Sequence, residues 1–303
     1  MPSMSGTQAL TVKENTALLP FLLERFRDLG RNKVKSFLKY KSVSVNGKVV
    51  TRHDHRLHSG DQVAVRTKVD APSKKEFFKT LIDVIYEDDA IIVVNKPSGL
   101  LTVATETVKT NTVIYQINEY LNAAKTRKEK MIFVVHRLDQ GASGLLVFAK
   151  THDAKHLLQD NWDKTEKHYY AVVEGTPAEA SGTVISYLQE NSRMKVYSTT
   201  RGGAKHSVTK YKLIKSFGKY SLIDIHIQTG RKHQIRVHMA DIGCPIIGDD
   251  RYGTKTSPAG RLGLHAYFLA FNHPITGKRL EFKTELPREL ARFVSQEEKH
   301  AAQ

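Results

Sequence analysis

Leu18, Leu19, Leu22, Leu23 and Phe26 recur at the spacing of one helical face, and Val34, Phe37 and Leu38 repeat it in a second helix. Lys33, Lys35, Lys39 and Lys41 fall off that second apolar face. The period then shortens to two. Val43 and Val45, the pair Asn46-Gly47, then Val49 and Val50 predict a hairpin, because Asn-Gly supplies the positive φ angles of a two-residue turn. Gly60-Asp61 followed by Val63 and Val65 predicts a further strand. A larger α/β region begins near Leu81. Val84-Ile85-Tyr86, the turn Asp88-Asp89 and the apolar run Ile91-Ile92-Val93-Val94 predict two strands, closed by Asn95-Lys96-Pro97-Ser98-Gly99. Val113, Ile114, Ile117, Tyr120 and Leu121 predict a helix capped at Thr110 or Asn111, and Ala154, Leu157, Leu158 and Trp162 another. Between residues 169 and 282 short β-type runs dominate.

One segment breaks the alternation with charge. His136-Arg137-Leu138-Asp139-Gln140-Gly141-Ala142-Ser143-Gly144-Leu145-Leu146-Val147 follows the apolar run from Ile132 to Val135 and reads as strand, tight turn, strand. A carboxylate at such a turn must be solvated, paired or functional, because an isolated buried charge is costly. By itself Asp139 reads as a turn-capping aspartate, a common use of Asp before glycine, rather than as a reactive one.

Charge narrows the partner. The 303 residues carry 47 Lys+Arg against 31 Asp+Glu, a formal +16, which favours a polyanion. Residues 24–68 hold twelve basic and four acidic side chains, so half of the excess lies in a small part of the chain. The single cysteine, Cys244, excludes an internal disulfide and a Cys-rich zinc site, fits a reducing cytoplasm, and reads as a small buried apolar residue. No apolar run is long enough to span a bilayer. Of the 14 histidines, His233 and His238 read as surface or RNA-facing and His265 as packed in the core. No HExxH spacing and no phosphate-binding glycine loop occurs, so no metal is expected.

Two helices followed by a basic hairpin resemble the S4-like (alpha-L) RNA-binding domain. The resemblance implies phosphate contacts from Arg31, Lys33, Lys35, Lys39 and Lys41. The domains expected are a tail at 1–15, the S4-like domain at 16–70, a Pro/Lys-containing linker at 71–80, a catalytic domain at 81–295 and a tail at 296–303.

Four ordered motifs resemble the RluA-type RNA pseudouridine synthases. They are residues 88–100, the His136–Val147 segment above, Lys167-His168-Tyr169-Tyr170-Ala171, and Thr229-Gly230-Arg231-Lys232-His233-Gln234-Ile235-Arg236-Val237-His238 with Gly248-Asp249 and Tyr252-Gly253. Leu264-His265-Ala266 is a smaller match. Membership would imply an α+β fold, with a mixed, mostly antiparallel central sheet and flanking helices. It would make Asp139 catalytic, Arg236 its cation, and Tyr169 a general base or stacking partner at an extruded uracil. Arg137 would enter the RNA stack, and Arg231 and Lys232 would meet phosphates unless they line a solvated strand edge. The reaction needs no cofactor. Gln140 and Ala142 depart from many relatives, which carry Arg or Lys and Thr there, and this bears on substrate fit. Ribosomal RNA of the large subunit is the expected substrate and a monomer the expected state. The alternatives are a tRNA substrate, or a non-catalytic RNA-binding or ribosome-assembly factor on the same fold. A hydrolase would need a second opposed acid or a metal cluster, and neither is visible.

Overall fold

The computed structural model describes residues 7–30, 34–35, 37–38, 42–66, 82–122, 131–200, 202–253 and 256–301. The chain divides into two units, Met1–Phe77 and Phe78–Gln303. Arg31, Lys33, Lys39, Lys41 and the expected linker at 71–80 lie outside the described residues.

The first unit holds a four-stranded antiparallel sheet in the order Thr7–Thr11, Gln62–Arg66, Val43–Val45, Lys48–Val49. Asn46 (φ 50°) and Gly47 (φ 79°) make the hairpin turn that the Asn-Gly pair predicts. The helix Leu18–Arg25 buries Leu18, Leu19, Phe21 and Leu22, and these join Val34, Phe37, Val43, Val63 and Val65 in one core. Within the stretch expected to be a tail, the described residues 7–15 include a strand. Thr7–Thr11 is an edge strand on Gln62–Arg66, and Val12 is buried in the core. A short, polar edge strand lacks the apolar alternation by which strands are read.

The second unit is α+β. Its main sheet runs Val196–Thr199, Ser181–Glu190, Lys205–Phe217, Tyr220–Ile227, Glu166–Glu174, Leu264–Asn272, Ser143–Ala149, Ile91–Lys96, Asp83–Glu87. Arg279–Lys283 adds to Leu264–Asn272, and Phe133–Val134 to Ser143–Ala149. The pairing is antiparallel except where Ser143–Ala149 meets Leu264–Asn272, a parallel seam two residues long. At that seam Gly144 adopts φ +118°, and a Cβ there would stand 2.2 Å from the Ala266 carbonyl oxygen. Only glycine lets the two backbones approach so closely.

All seven residues of Ser143–Ala149 are buried. A full-length apolar strand of this kind stabilises by about 1.5–3 kcal/mol per large side chain. It therefore forms a rigid base for the turn that precedes it. The helix Val113–Asn122 carries Ile117 and Leu121 inward, as its periodicity predicts. Its first turn is capped by Thr112, whose Oγ1 accepts from the Tyr115 amide at 3.2 Å, one or two residues later than the sequence suggests.

Two other expectations change. Residues 234–241 form a helix, Gln234–Asp241, inside the stretch that reads as β-rich. Six of its eight residues are buried, so it shows no polar face by which to be recognised. His238 is buried rather than surface-facing, held by Thr209 Oγ1 at 2.9 Å and Ser186 Oγ at 2.9 Å. The expected tail at 296–303 mostly continues the helix Arg288–Ala301, which packs Phe293 and Val294 against Phe217 and Tyr220.

Candidate active site

Asp139 lies in the turn between Phe133–Val134 and Ser143–Ala149, closed by the Ala142 amide donating to the Asp139 carbonyl at 3.2 Å. The segment 96–102 braces this turn from behind. The Gly99 amide donates to the Gln140 carbonyl (2.8 Å), Ser98 Oγ to Gly141 O (2.5 Å), and Thr102 Oγ1 to Leu138 O (2.9 Å). Lys96 is fully buried, and its ammonium donates to the carbonyls of Pro97 (2.9 Å), Leu100 (2.7 Å) and Gln140 (3.1 Å). Three acceptors match the three donors of an ammonium. Burial pushes Lys96 down to about 7 and Arg261 adds to this, while Asp139 opposes it. The loop is therefore fixed by backbone contacts before any ligand arrives, which is what a reacting carboxylate requires.

The Asp139 carboxylate meets Arg236, 97 residues away: Nη1 donates to Oδ2 at 3.1 Å. Arg236 stands on the buried helix Gln234–Asp241. Its other edge is held by Asp249, with Nε to Oδ2 at 2.7 Å and Nη2 to Oδ1 at 2.8 Å. The Asp249 side chain is 0% exposed, so the pair is a dry, bidentate fork. Burial alone would raise the Asp249 carboxyl, but the Arg236 hydrogen bonds and charge win and hold it below the ordinary carboxylate range. Burial works against the Arg236 cation, yet Asp249 and Asp139 raise its proton affinity above the usual arginine value. The Tyr252 ring lies 5.1 Å from the guanidinium carbon.

Tyr169 is buried on Glu166–Glu174, one strand from the seam. Burial, then the Asp139 charge, push its phenol well above the ordinary value, so it is a neutral hydroxyl at neutral pH. Asp139 and Arg236 are thus paired, and the Asp139 charge acts on the Tyr169 phenol. Arg137 is exposed beside Asp139 in the chain. Arg231 is exposed, with Nε donating to His206 O at 3.3 Å. Lys232 is ion-paired with Glu190, so a phosphate contact from it requires that pair to open. Lys35 is exposed in the other unit.

The sequence alone assigns no role to Asp249, Tyr252 or Lys96, and reads His233 only as surface or RNA-facing. Asp249, Tyr252 and Lys96 sit inside the family motifs, but nothing in their spacing reveals that they support Arg236 and the 139–142 turn. Among the described residues no cluster of three His, Cys, Asp or Glu side chains is placed to hold a metal.

An aspartate–arginine pair at a braced turn, with a buried tyrosine on the same long mixed sheet, makes up the candidate site. Residues 90–241, half of the chain, match the family model for RNA pseudouridylate synthase. The chain is 31% identical over 303 residues to the ribosomal large subunit pseudouridine synthase D of Escherichia coli O6:H1, covering 94% of this chain and 92% of that one. It is 33% identical over 281 residues to the uncharacterized RNA pseudouridine synthase YlyB of Bacillus subtilis, covering 90% and 91%. The solved structure of human RNA pseudouridylate synthase domain containing 4 shares the fold, with a TM-score of 0.61 at 23% identity over 74% of this chain and 94% of that one. The chain belongs to the RluA-type RNA pseudouridine synthase family. It is an isomerase that converts uridine in RNA to pseudouridine.

Proposed function

We propose that Asp139 is the nucleophile, that Arg236 holds and aims it, that Tyr169 serves the base, and that the RNA is ribosomal RNA of the large subunit. The observation that carries the site is the Arg236 guanidinium divided between Asp139 and a buried Asp249. In the reaction the N1–C1′ bond of uridine breaks, the uracil turns, and C5 bonds to C1′. The proton on C5 leaves and N1 gains one, so neither redox partner nor water is consumed. The Asp139 carboxylate engages the sugar carbon or stabilises its positive character. Arg236 places its guanidinium against the carboxylate and orients it. Tyr169 serves the base as a stacking partner or in removing the C5 proton, within reach of the Asp139 charge.

The substrate assignment rests on the relatives named for the large ribosomal subunit, which span nearly the whole chain. A basic N-terminal unit read as S4-like supports it: Lys35 and the lysines around it would track phosphates and supply binding energy for extruding the target. We read the protein as a cytoplasmic monomer. The experiment is chemical mapping of pseudouridines in total RNA from cells lacking the gene, complemented with the native gene or with Asp139→Asn. A large-subunit site lost in the deletion and restored only by the native gene supports the proposal. A tRNA site instead would move the substrate, and rescue of a growth phenotype by Asp139→Asn would favour an assembly role.

A further inference from the structure

The two Asp139 oxygens have different neighbours. Oδ2 accepts from Arg236, while Oδ1 faces His233 Nε2 at 4.0 Å. His233 precedes the helix Gln234–Asp241 with φ +56°, a conformation that costs any residue with a Cβ. Its side chain does not cap that helix, so helix initiation does not account for the strain. Instead the imidazole turns away. Nδ1 lies 2.8 Å from the Tyr252 hydroxyl and Nε2 points toward Asp139.

Tyr252 offers His233 Nδ1 a hydroxyl donor. Its hydroxyl oxygen already accepts from the Val196 amide at 3.0 Å. The hydroxyl proton is then free to donate to Nδ1, which leaves the imidazole hydrogen on Nε2. The Tyr252 amide in turn donates to Asp249 Oδ1 at 3.1 Å. One turn, residues 249–252, therefore anchors both neighbours of the carboxylate: Arg236 through Asp249 and His233 through Tyr252.

We propose that His233 is a positioning residue for Asp139: a neutral imidazole, fixed by Tyr252 with its hydrogen on Nε2, that orients the carboxylate oxygen left free by Arg236. The inference rests on the reading of Asp139 as nucleophile. A neutral donor suits the task, because a second full cation would tie up the remaining lone pairs of the attacking group. The surroundings keep the ring neutral. Burial lowers its proton affinity, Asp139 opposes, and Arg236, Lys232 and Arg251 lower it further, with Glu190 and Tyr252 the other ionisable groups nearby. On acidification the imidazolium forms, pairs with Oδ1 and withdraws it from reaction.

The test uses the full-length enzyme and total RNA labelled with tritium at uridine C5, taken from cells lacking the gene. Single-turnover release of tritium is measured for native protein, Asp139→Asn, His233→Asn and His233→Gln. Asparagine accepts a positive φ and its amide matches Nδ1, so it keeps the Tyr252 contact and loses the group facing Asp139. Glutamine reaches the place of Nε2. We expect His233→Asn to slow release on the order of a hundredfold with RNA affinity retained. His233→Gln should stay within about tenfold of native. We also expect the native rate to fall as pH is lowered below 7, and His233→Gln to be flatter on that acid limb. Equal rates for the Asn and Gln variants, or an unchanged acid limb in His233→Gln, would overturn the proposal while Asp139→Asn stays inactive. Undiminished release by Asp139→Asn would instead remove the underlying reading.

Discussion

Arg236 is bound more closely to Asp249 than to Asp139. Two of its nitrogens meet Asp249 at 2.7 and 2.8 Å, and a third reaches Asp139 at 3.1 Å. The arginine is thus placed by a residue outside the reaction and presents its remaining edge to the carboxylate. Removing one member of a buried ion pair leaves the other uncompensated, at about 3–5 kcal/mol. We expect Asp249→Ala to lose that much in urea unfolding and to lose activity as well. Asp249→Asn, which keeps hydrogen-bonding atoms, should unfold at a higher urea concentration than Asp249→Ala.

Gly144 is where the turn that carries Asp139 enters the sheet. With φ at +118°, an added Cβ would fall 2.2 Å from Ala266 O, which leaves no room for a methyl group. We expect Gly144→Ala to be destabilised by about 1–3 kcal/mol in thermal or urea unfolding and to slow turnover more than Gly99→Ala does. The Gly99 site has open space around the added methyl, although its φ of +85° carries a backbone cost of its own.

Tyr169 separates stacking from proton transfer. Tyr169→Phe keeps the ring and removes the hydroxyl. We expect its RNA affinity to match the native protein while single-turnover rate falls by about a hundredfold or more. Tyr169→Leu should lose both.

Acid stability follows from a buried histidine. His265 is 1% exposed, with Nδ1 2.7 Å from Ser143 Oγ and Nε2 3.0 Å from Thr284 Oγ1. Burial, then Arg261, push it down to about 4. Its folded value lies below the unfolded one, so the unfolded chain takes up a proton first as pH falls. Stability is unaffected above about pH 6.5 and declines from there to about pH 4, by up to about 3 kcal/mol. His136, lowered to about 3 by burial and then Lys167, acts in the same direction. Urea unfolding of native protein and His265→Gln between pH 7.5 and 4.5 checks this, the variant having the shallower pH dependence.

The hairpin at Asn46-Gly47, the helix Leu18–Arg25 and the buried strands Ile91–Lys96 and Ser143–Ala149 were legible because each shows an apolar run, a 3.6-residue period or a turn signal. The helix Gln234–Asp241 was not. It buries Gln234, Arg236 and His238 together with its apolar residues, so its polarity pattern points to no surface. Those polar side chains are tolerated because each is bonded: Gln234, for one, donates to Val208 O at 3.0 Å and Thr209 Oγ1 at 2.9 Å. Asp139 and Arg236 were joined in the sequence only by resemblance, since no local rule links residues 97 positions apart. Asp249 and His233 had no sequence signal for their roles, which exist only once the 249–252 turn folds against the helix.

The most direct measurement is single-turnover release of tritium from uridine C5, comparing native protein with Asp139→Asn on the same labelled RNA. The replacement is nearly isosteric and removes the charge that Arg236 faces. We predict RNA binding within a few-fold of native and no detectable release. Release by Asp139→Asn at the native rate would contradict the assignment of the Asp139 carboxylate as the group that acts on the sugar.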